Sequence, residues 1–136
     1  MKFFISGQID DVATIKEIIN KVVDAGHNIT HDWTATDTFL GGAQDKLNNP
    51  VESGRRAQAD IQGVIDCDVY VLSSDNKKVG KGMYVELGAA LALCEATGKP
   101  DVFITGAMHH LSVFYLHPKV VQAATIDDVL NKYKVN

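Results

Sequence analysis

The sequence predicts an α/β protein: a central, mostly parallel five-stranded sheet with helices on both faces. Three observations carry this. Short runs rich in apolar and β-branched residues recur at 2–6, 68–73 and 101–105, each bounded by Gly, Asp or Ser. Between them lie longer segments whose apolar residues repeat at helical spacing. Strands and helices alternate from one end of the chain to the other, the order that pairs strands in parallel through helical crossovers.

Residues 2–6 (Lys-Phe-Phe-Ile-Ser) form the first buried strand, closed by Gly7. Over 12–25, Val12, Ile15, Ile18, Ile19, Val22 and Val23 mark one face of a helix that Asp10 or Asp11 caps and Gly26 stops. The β-branched and aromatic content of 27–33 predicts a second strand. Residues 34–49, with Gly41 and Gly42, form the longest polar loop, and long loops in compact domains often serve as lids. Asn49-Pro50 opens a helix running to about Asp66, with Pro at its first position and Ala57, Ile61, Val64 and Ile65 turned inward.

Residues 68–73 read as a central strand and 74–82 as a polar loop. The Ala- and Leu-rich stretch 83–97 is strongly helical and is closed by Gly98. A fourth strand follows at 101–105, a short fifth at 119–123, and Thr125 opens a last helix with a capping-box pattern. No repeat, linker or second domain interrupts 1–136, which reads as one domain. Ligands of such sheets bind outside the carboxyl ends of the strands, at the point where strand order reverses. The loops at 6–11, 32–49, 73–82 and 106–118 are therefore the ones to watch.

Composition narrows the function classes. With 46% apolar and 22% charged residues in 136, the chain has the balance of a soluble globular protein. The net charge is −4, and the 13 basic residues are mixed with 17 acidic ones. No basic run exists to neutralise a phosphate backbone, so duplex nucleic acid is not an expected partner, whereas a small anionic ligand needs only local donors. Cys67 and Cys94 form no C-x-x-C pair; they read as buried thiols in a reducing compartment. No signal-peptide pattern follows Met1, and no apolar run approaches the roughly 20 residues that span a bilayer. A cytoplasmic protein without a membrane partner is expected.

Chemistry concentrates on a few residues. Glu86 is expected in the first turn of the third helix, where free amides and the helix dipole hold a carboxylate ionised; this suits a nucleophile, although acids are common in any first turn. Asp60 borders a buried helix face, which is costly for an acid unless it is paired or working. Asp75, Ser73 and Ser74 end the third strand, a position equally natural for turn formers. Ser6, Gly7, Gln8 and Ile9 join the first strand to its helix, and Gly7 allows close backbone approach. That loop has neither dinucleotide-binding nor Walker spacing. The five histidines form no metal constellation, and His31 and His117 are the pocket candidates. No cofactor or metal is called for. Trp33 and Tyr115 suit either base stacking or the core.

Three stretches together resemble the nucleoside 2-deoxyribosyltransferase family and its relatives that hydrolyse nucleotide N-glycosidic bonds. They are Phe-Phe-Ile-Ser-Gly at 3–7, Asp60-Ile-x-x-Val-x-x-Cys-Asp68, and Gly-Lys-Gly-Met-Tyr-Val-Glu-Leu-Gly-Ala-Ala at 80–90. The order and spacing extend over most of 1–105. The resemblance implies a flavodoxin-like three-layer sandwich in a homo-oligomer acting on a small nucleoside or nucleotide. It also implies that Glu86 attacks C1′ of the sugar, that Asp60 handles protons or the leaving base, and that the loop at 6–9 with Asp75, Gly82 and Met83 lines the substrate. This is the two-carboxylate logic of retaining glycosidases, with the acceptor deciding between transfer and hydrolysis.

The sequence departs from the family in two places. The family often has a Tyr on the first strand beside the nucleophile, where Phe4 stands here. An Asp commonly precedes the Glu by a few residues, where 78–82 reads Lys-Val-Gly-Lys-Gly and Asp75 lies further back. Lys77, Lys78 and Lys81 make that loop positive, as a phosphorylated substrate requires and as a solvated loop also allows. The rival expectations are TIR-like cleavage of nicotinamide dinucleotide and a catalytically silent nucleotide-binding module.

Overall fold

The computed structural model describes residues 1–35, 42–75, 77–78 and 80–134. Five parallel strands, β1 (Lys2–Ser6), β2 (Asn28–Ile29), β3 (Val69–Ser73), β4 (Asp101–Thr105) and β5 (Val120–Ala123), form one sheet in the order β2-β1-β3-β4-β5. The helices are α1 (Val12–Asp24), α2 (Ala43–Asn48), α3 (Pro50–Asp66), α4 (Lys81–Thr97) and α5 (Ile126–Asn131). This is the flavodoxin-like strand order, whose switch point falls between β1 and β3.

Side-chain alternation along the strands builds two cores. Phe3, Ile5, Val69, Val71 and Phe103 pack with Ile15, Ile18, Ile19 and Val22 of α1 and with Ile126, Val129 and Leu130 of α5. Phe4, Tyr70, Leu72, Val102 and Ile104 pack on the other face with Val64 of α3 and with Met83, Leu87, Ala90, Leu91 and Cys94 of α4. Both faces are covered, as continuous apolar strands require. Cys67 and Cys94 are buried thiols, and burial pushes Cys67 up to about 12. Among the described residues no helix is long and apolar enough to cross a membrane.

Several expectations needed correction. The strand expected over 27–33 is only Asn28–Ile29, because the chain leaves the sheet early. The Thr30 hydroxyl turns to the Gly63 carbonyl at 2.7 Å, and the Trp33 indole N–H, not a strand amide, donates to the Ile5 carbonyl at 2.8 Å. The loop over 34–49 contains α2, a helix exposed along its length and therefore without a periodic apolar signal; Gly41 and the rest of 36–41 lie outside the described residues. On α3, Ala57 and Ile65 face outward, and the sheet is met by Gly63 and Val64. Val23 of α1 is likewise exposed. Asp11 caps α1 without a side-chain bond, because a 3-10 turn at Ile9–Asp11, capped by Gln8, precedes it. The capping box at Thr125 forms as expected.

Candidate active site

Ser6 is the last residue of β1 and points to the α3/α4 side of the sheet, in step with Phe4. There its hydroxyl donates a 2.7 Å hydrogen bond to Glu86 Oε1, and Glu86 itself is only 8% exposed. Asp60 approaches from α3, half-buried, and its carboxyl hydrogen-bonds that of Glu86. A hydrogen bond between two carboxyls requires one proton between them. Glu86 is bonded to the end of β1, at the switch point of the sheet between β1 and β3.

The electrostatics decide where that proton rests. Burial drives the Glu86 carboxyl up to about 8; the bond from Ser6 opposes the rise and the charge of Asp60 adds to it. Asp60 is raised too, again by burial first, but His31, the Glu86 bond and Arg56 all pull it back down. Burial therefore favours the shared proton on Glu86 over Asp60, whose neighbours oppose its rise. This corrects the sequence expectation. α4 begins at Lys81, so Glu86 falls in its second turn, below the free amides, and burial dominates where the helix dipole was expected to.

His31 reaches the pair by a close approach of two backbones. Its Nε2 lies 3.4 Å from Asp60 Oδ1, and both side chains are about one-third exposed, at 33% and 29%. Thr30 pins this segment, its amide donating to the Phe3 carbonyl at 2.9 Å and its hydroxyl to Gly63. Gly63 makes the approach possible. A Cβ there would come 2.8 Å from the Phe4 ring and 2.9 Å from His31 Cβ. On the solvent side, Arg56 pairs with Glu52 at 3.0 Å while its charge acts on Asp60.

The remaining predicted residues divide. Gly7 does admit a close approach, from α1: a Cβ there would overlap Ile15 Cδ1. Gln8 is buried and spends its side chain on the Asp10 amide, whereas Ile9 is exposed beside it. Asp75 accepts a 2.9 Å bond from the Ala107 amide and fills the space over Gly106, whose φ of +84° suits glycine. Gly82 lies open on the first turn of α4, which has no side-chain cap. The Met83 side chain is in the core. Asn76 and Val79 lie outside the described residues.

Ser73 turns to the α1 side and leaves its hydroxyl buried without a partner, and Ser74 bonds the Tyr115 hydroxyl at 3.3 Å. Tyr115 is core, and Trp33, partly buried, packs against both cores. His117 pairs with Glu95 at 3.0 Å, away from the carboxyls. Among the described residues no group of three or more His, Cys, Asp or Glu side chains is placed to hold a metal ion. Two surface clefts flank the site: one of about 700 Å³ along α3 at Arg55 and Gln58, one of about 470 Å³ between α4 and Phe114. The carboxyls lie in neither.

The sequence reading missed Tyr70 and Arg56. Arg56 is one helical turn from Asp60, a spacing visible in the sequence. Tyr70 looks like any aromatic in a buried strand; only its register opposite Phe4 brings it to the site.

The fold and this buried carboxyl pair define a flavodoxin-like α/β protein with a two-carboxylate site. No protein-family model matches the chain, and no match is found among curated proteins. Among solved structures it is similar to the CMP N-glycosidase BcmB of Clostridium botulinum, at 12% identity over 98% of each chain and a TM-score of 0.57. A conserved protein from Enterococcus faecalis V583 also matches, at 12% identity over 96% of this chain and 95% of that one, with a TM-score of 0.49. At this identity the first likeness is one of fold.

Proposed function

We propose that this protein breaks the N-glycosidic bond of a nucleoside or nucleoside monophosphate, with Glu86 as nucleophile and Asp60 as acid/base. The observation that carries this is the pair itself: a buried Glu86 beside a half-buried Asp60, each acting on the other, near the switch point of the sheet. A nucleophilic carboxyl beside an acid/base carboxyl suits the two-step, retaining route.

The chemistry uses that single proton twice. As substrate binds, the proton passes from Glu86 to Asp60 and on to the departing base. The C1′–N bond breaks, and the newly ionised Glu86 oxygen forms a bond to C1′. In the second step an acceptor attacks C1′ and the bond to Glu86 breaks. If the acceptor is water, one of its protons goes to Asp60 and restores the shared proton. If it is a second base, its ring N–H supplies that proton and the outcome is transfer. Ser6 stabilises the carboxylate of Glu86 in the interval when it is charged.

A phosphorylated substrate suits the rim. The first turn of α4 offers amides with no side-chain cap beside the open Gly82, and Lys77 and Lys81 lie on the same loop and turn. The neighbour of similar fold, a CMP N-glycosidase, acts on a nucleoside monophosphate. The test is a panel of deoxynucleosides, ribonucleosides and their monophosphates, with and without a second free base, followed by chromatography for base release. Release that disappears in Glu86→Gln is the expected result, and a new nucleoside in the two-base samples would identify transfer. A folded protein that releases no base from any member overturns the proposal.

A further inference from the structure

We propose that the outer face of α4, together with the segment at 111–116, is a docking surface for a second copy of this chain. From Met83 to Cys94, α4 carries a single charged residue, Glu86, and that residue is turned inward and buried. The outward stripe of Val85, Gly88 and Ala92 is therefore exposed and uncharged over about two turns. A helix that is apolar on every side is normally covered on every side. Here the sheet and α3 cover only the inner side.

The segment after β4 extends this face. Tyr115 is buried in the core, while Leu111, Val113, Phe114 and Leu116 around it turn out to solvent. With Val85, these side chains are 58–79% exposed. Phe114 forms one wall of the cleft of about 470 Å³ whose other walls are Tyr84, Leu87, Gly88 and Ser112, so helix and segment make one surface. The segment is held in this pose. The Tyr84 phenol donates to the His110 carbonyl at 3.1 Å, and the Ser112 hydroxyl caps the turn by accepting from the Phe114 amide. A surface already held in place loses little freedom on binding.

Area and symmetry both point to a second copy. Leu111, Val113, Phe114, Leu116 and Val85 together offer about 500 Å² of apolar surface, at on the order of 100 Å² for each. A homodimer interface of about 800 Å² per partner, about 65% of it apolar, needs about 520 Å². Near a two-fold axis each residue meets its own copy, so a charge there would repel itself. Val85, Gly88 and Ala92 bring no charge to such a contact. Phe114 projects beside the cleft on the same face, so each copy presents both a projection and a recess, as a self-complementary contact requires.

The experiment measures the mass of the purified full chain by size exclusion with light scattering, with circular dichroism to follow the fold. The wild type is expected at twice the chain mass of 14.8 kDa. Val113→Glu on the segment and Gly88→Glu on α4 are each expected at the single-chain mass with a wild-type spectrum. A Cβ at position 88 meets nothing within 4 Å, and glutamate is a better helix former than glycine, so loss of fold does not explain dissociation there. Val51→Glu, at an exposed position on α3 outside this face, is expected to remain a dimer. A wild type at the single-chain mass, a dimer that persists in either of the first two variants, or a dimer lost in Val51→Glu overturns the proposal. None of these readings involves turnover, so they stand apart from the glycosidic proposal.

Discussion

Ser6 and Glu86, 80 residues apart in sequence, meet through a 2.7 Å hydrogen bond that is the only polar link between β1 and the buried carboxyl of α4 recorded among the described residues. The bond joins the end of the strand at the sheet's switch point to the helix that packs over it. It also stabilises the charged form of Glu86 in a setting that otherwise suppresses it. The protein thus holds a carboxyl neutral at rest and supplies the donor it needs when charged.

The shared proton sets the pH dependence of kcat/KM. Both tautomers of the singly protonated pair titrate together, so the reactive form exists only between the two apparent pKa values of the pair. Activity is expected to fall on the alkaline side as the pair loses its proton near the Glu86 value of about 8. It should fall again on the acid side as Asp60 gains a second proton. A rate that keeps rising from pH 7 to 10 would show that only the ionised nucleophile matters.

Glu86 costs stability. Its folded pKa lies above the usual carboxylate value of 4.5, so the folded state binds more protons than the unfolded chain between about 4.5 and 8. Stability from this group is therefore lost as pH rises through that window and stays low above it. Glu86→Gln should leave thermal stability at pH 5 near wild type and increase it at pH 9, by about 5 kcal/mol at most. The same variant should be inactive. Equal melting temperatures for both proteins at pH 9 would contradict the placement of a neutral, buried acid.

His31 and Asp60 give a third expectation. His31 lowers the Asp60 pKa, which burial raises. Removing the imidazole in His31→Ala should move the acid limb of the rate profile to higher pH and narrow the bell, with the alkaline limb much less affected. His31→Gln, which keeps a donor without the charge, should recover part of the rate but not the width. Profiles that superimpose on the wild type would exclude an electrostatic role.

Gly63 is the packing counterpart of that contact. Gly63→Ala places a methyl within 2.9 Å of both Phe4 and His31. Overpacking of this kind typically costs about 1–3 kcal/mol. The melting temperature should drop, and the rate profile should shift toward that of His31→Ala as the imidazole is pushed from Asp60. A neutral substitution would show that α3 has slack against β1.

Much of this was legible in the sequence for physical reasons. Strands buried on both faces advertise themselves as apolar runs, and α1 shows its buried stripe openly, so the alternation of elements and the layers could be anticipated. Asp60 and Glu86 stood out as acids beside apolar faces. What stayed hidden depends on tertiary distances. The truncation of β2 follows from Trp33 and Thr30 reaching carbonyls far along the chain, and α2 buries nothing, so it has no pattern to read. The neutral state of Glu86 could not be read from its place on the helix, because the desolvation comes from α3 and the sheet. The packing of Gly7 against Ile15 and the bond from the Ala107 amide to Asp75 were equally invisible in the sequence.

The proposed covalent bond between Glu86 and the sugar can be sought by intact-protein and peptide mass spectrometry after incubation with a nucleoside monophosphate whose sugar carries a 2′-fluorine, which slows release of the intermediate. The expected result is a mass increase equal to the sugar phosphate, located on the peptide containing Glu86 and absent from Glu86→Gln. Base release without any adduct, undiminished in Glu86→Gln, would contradict it.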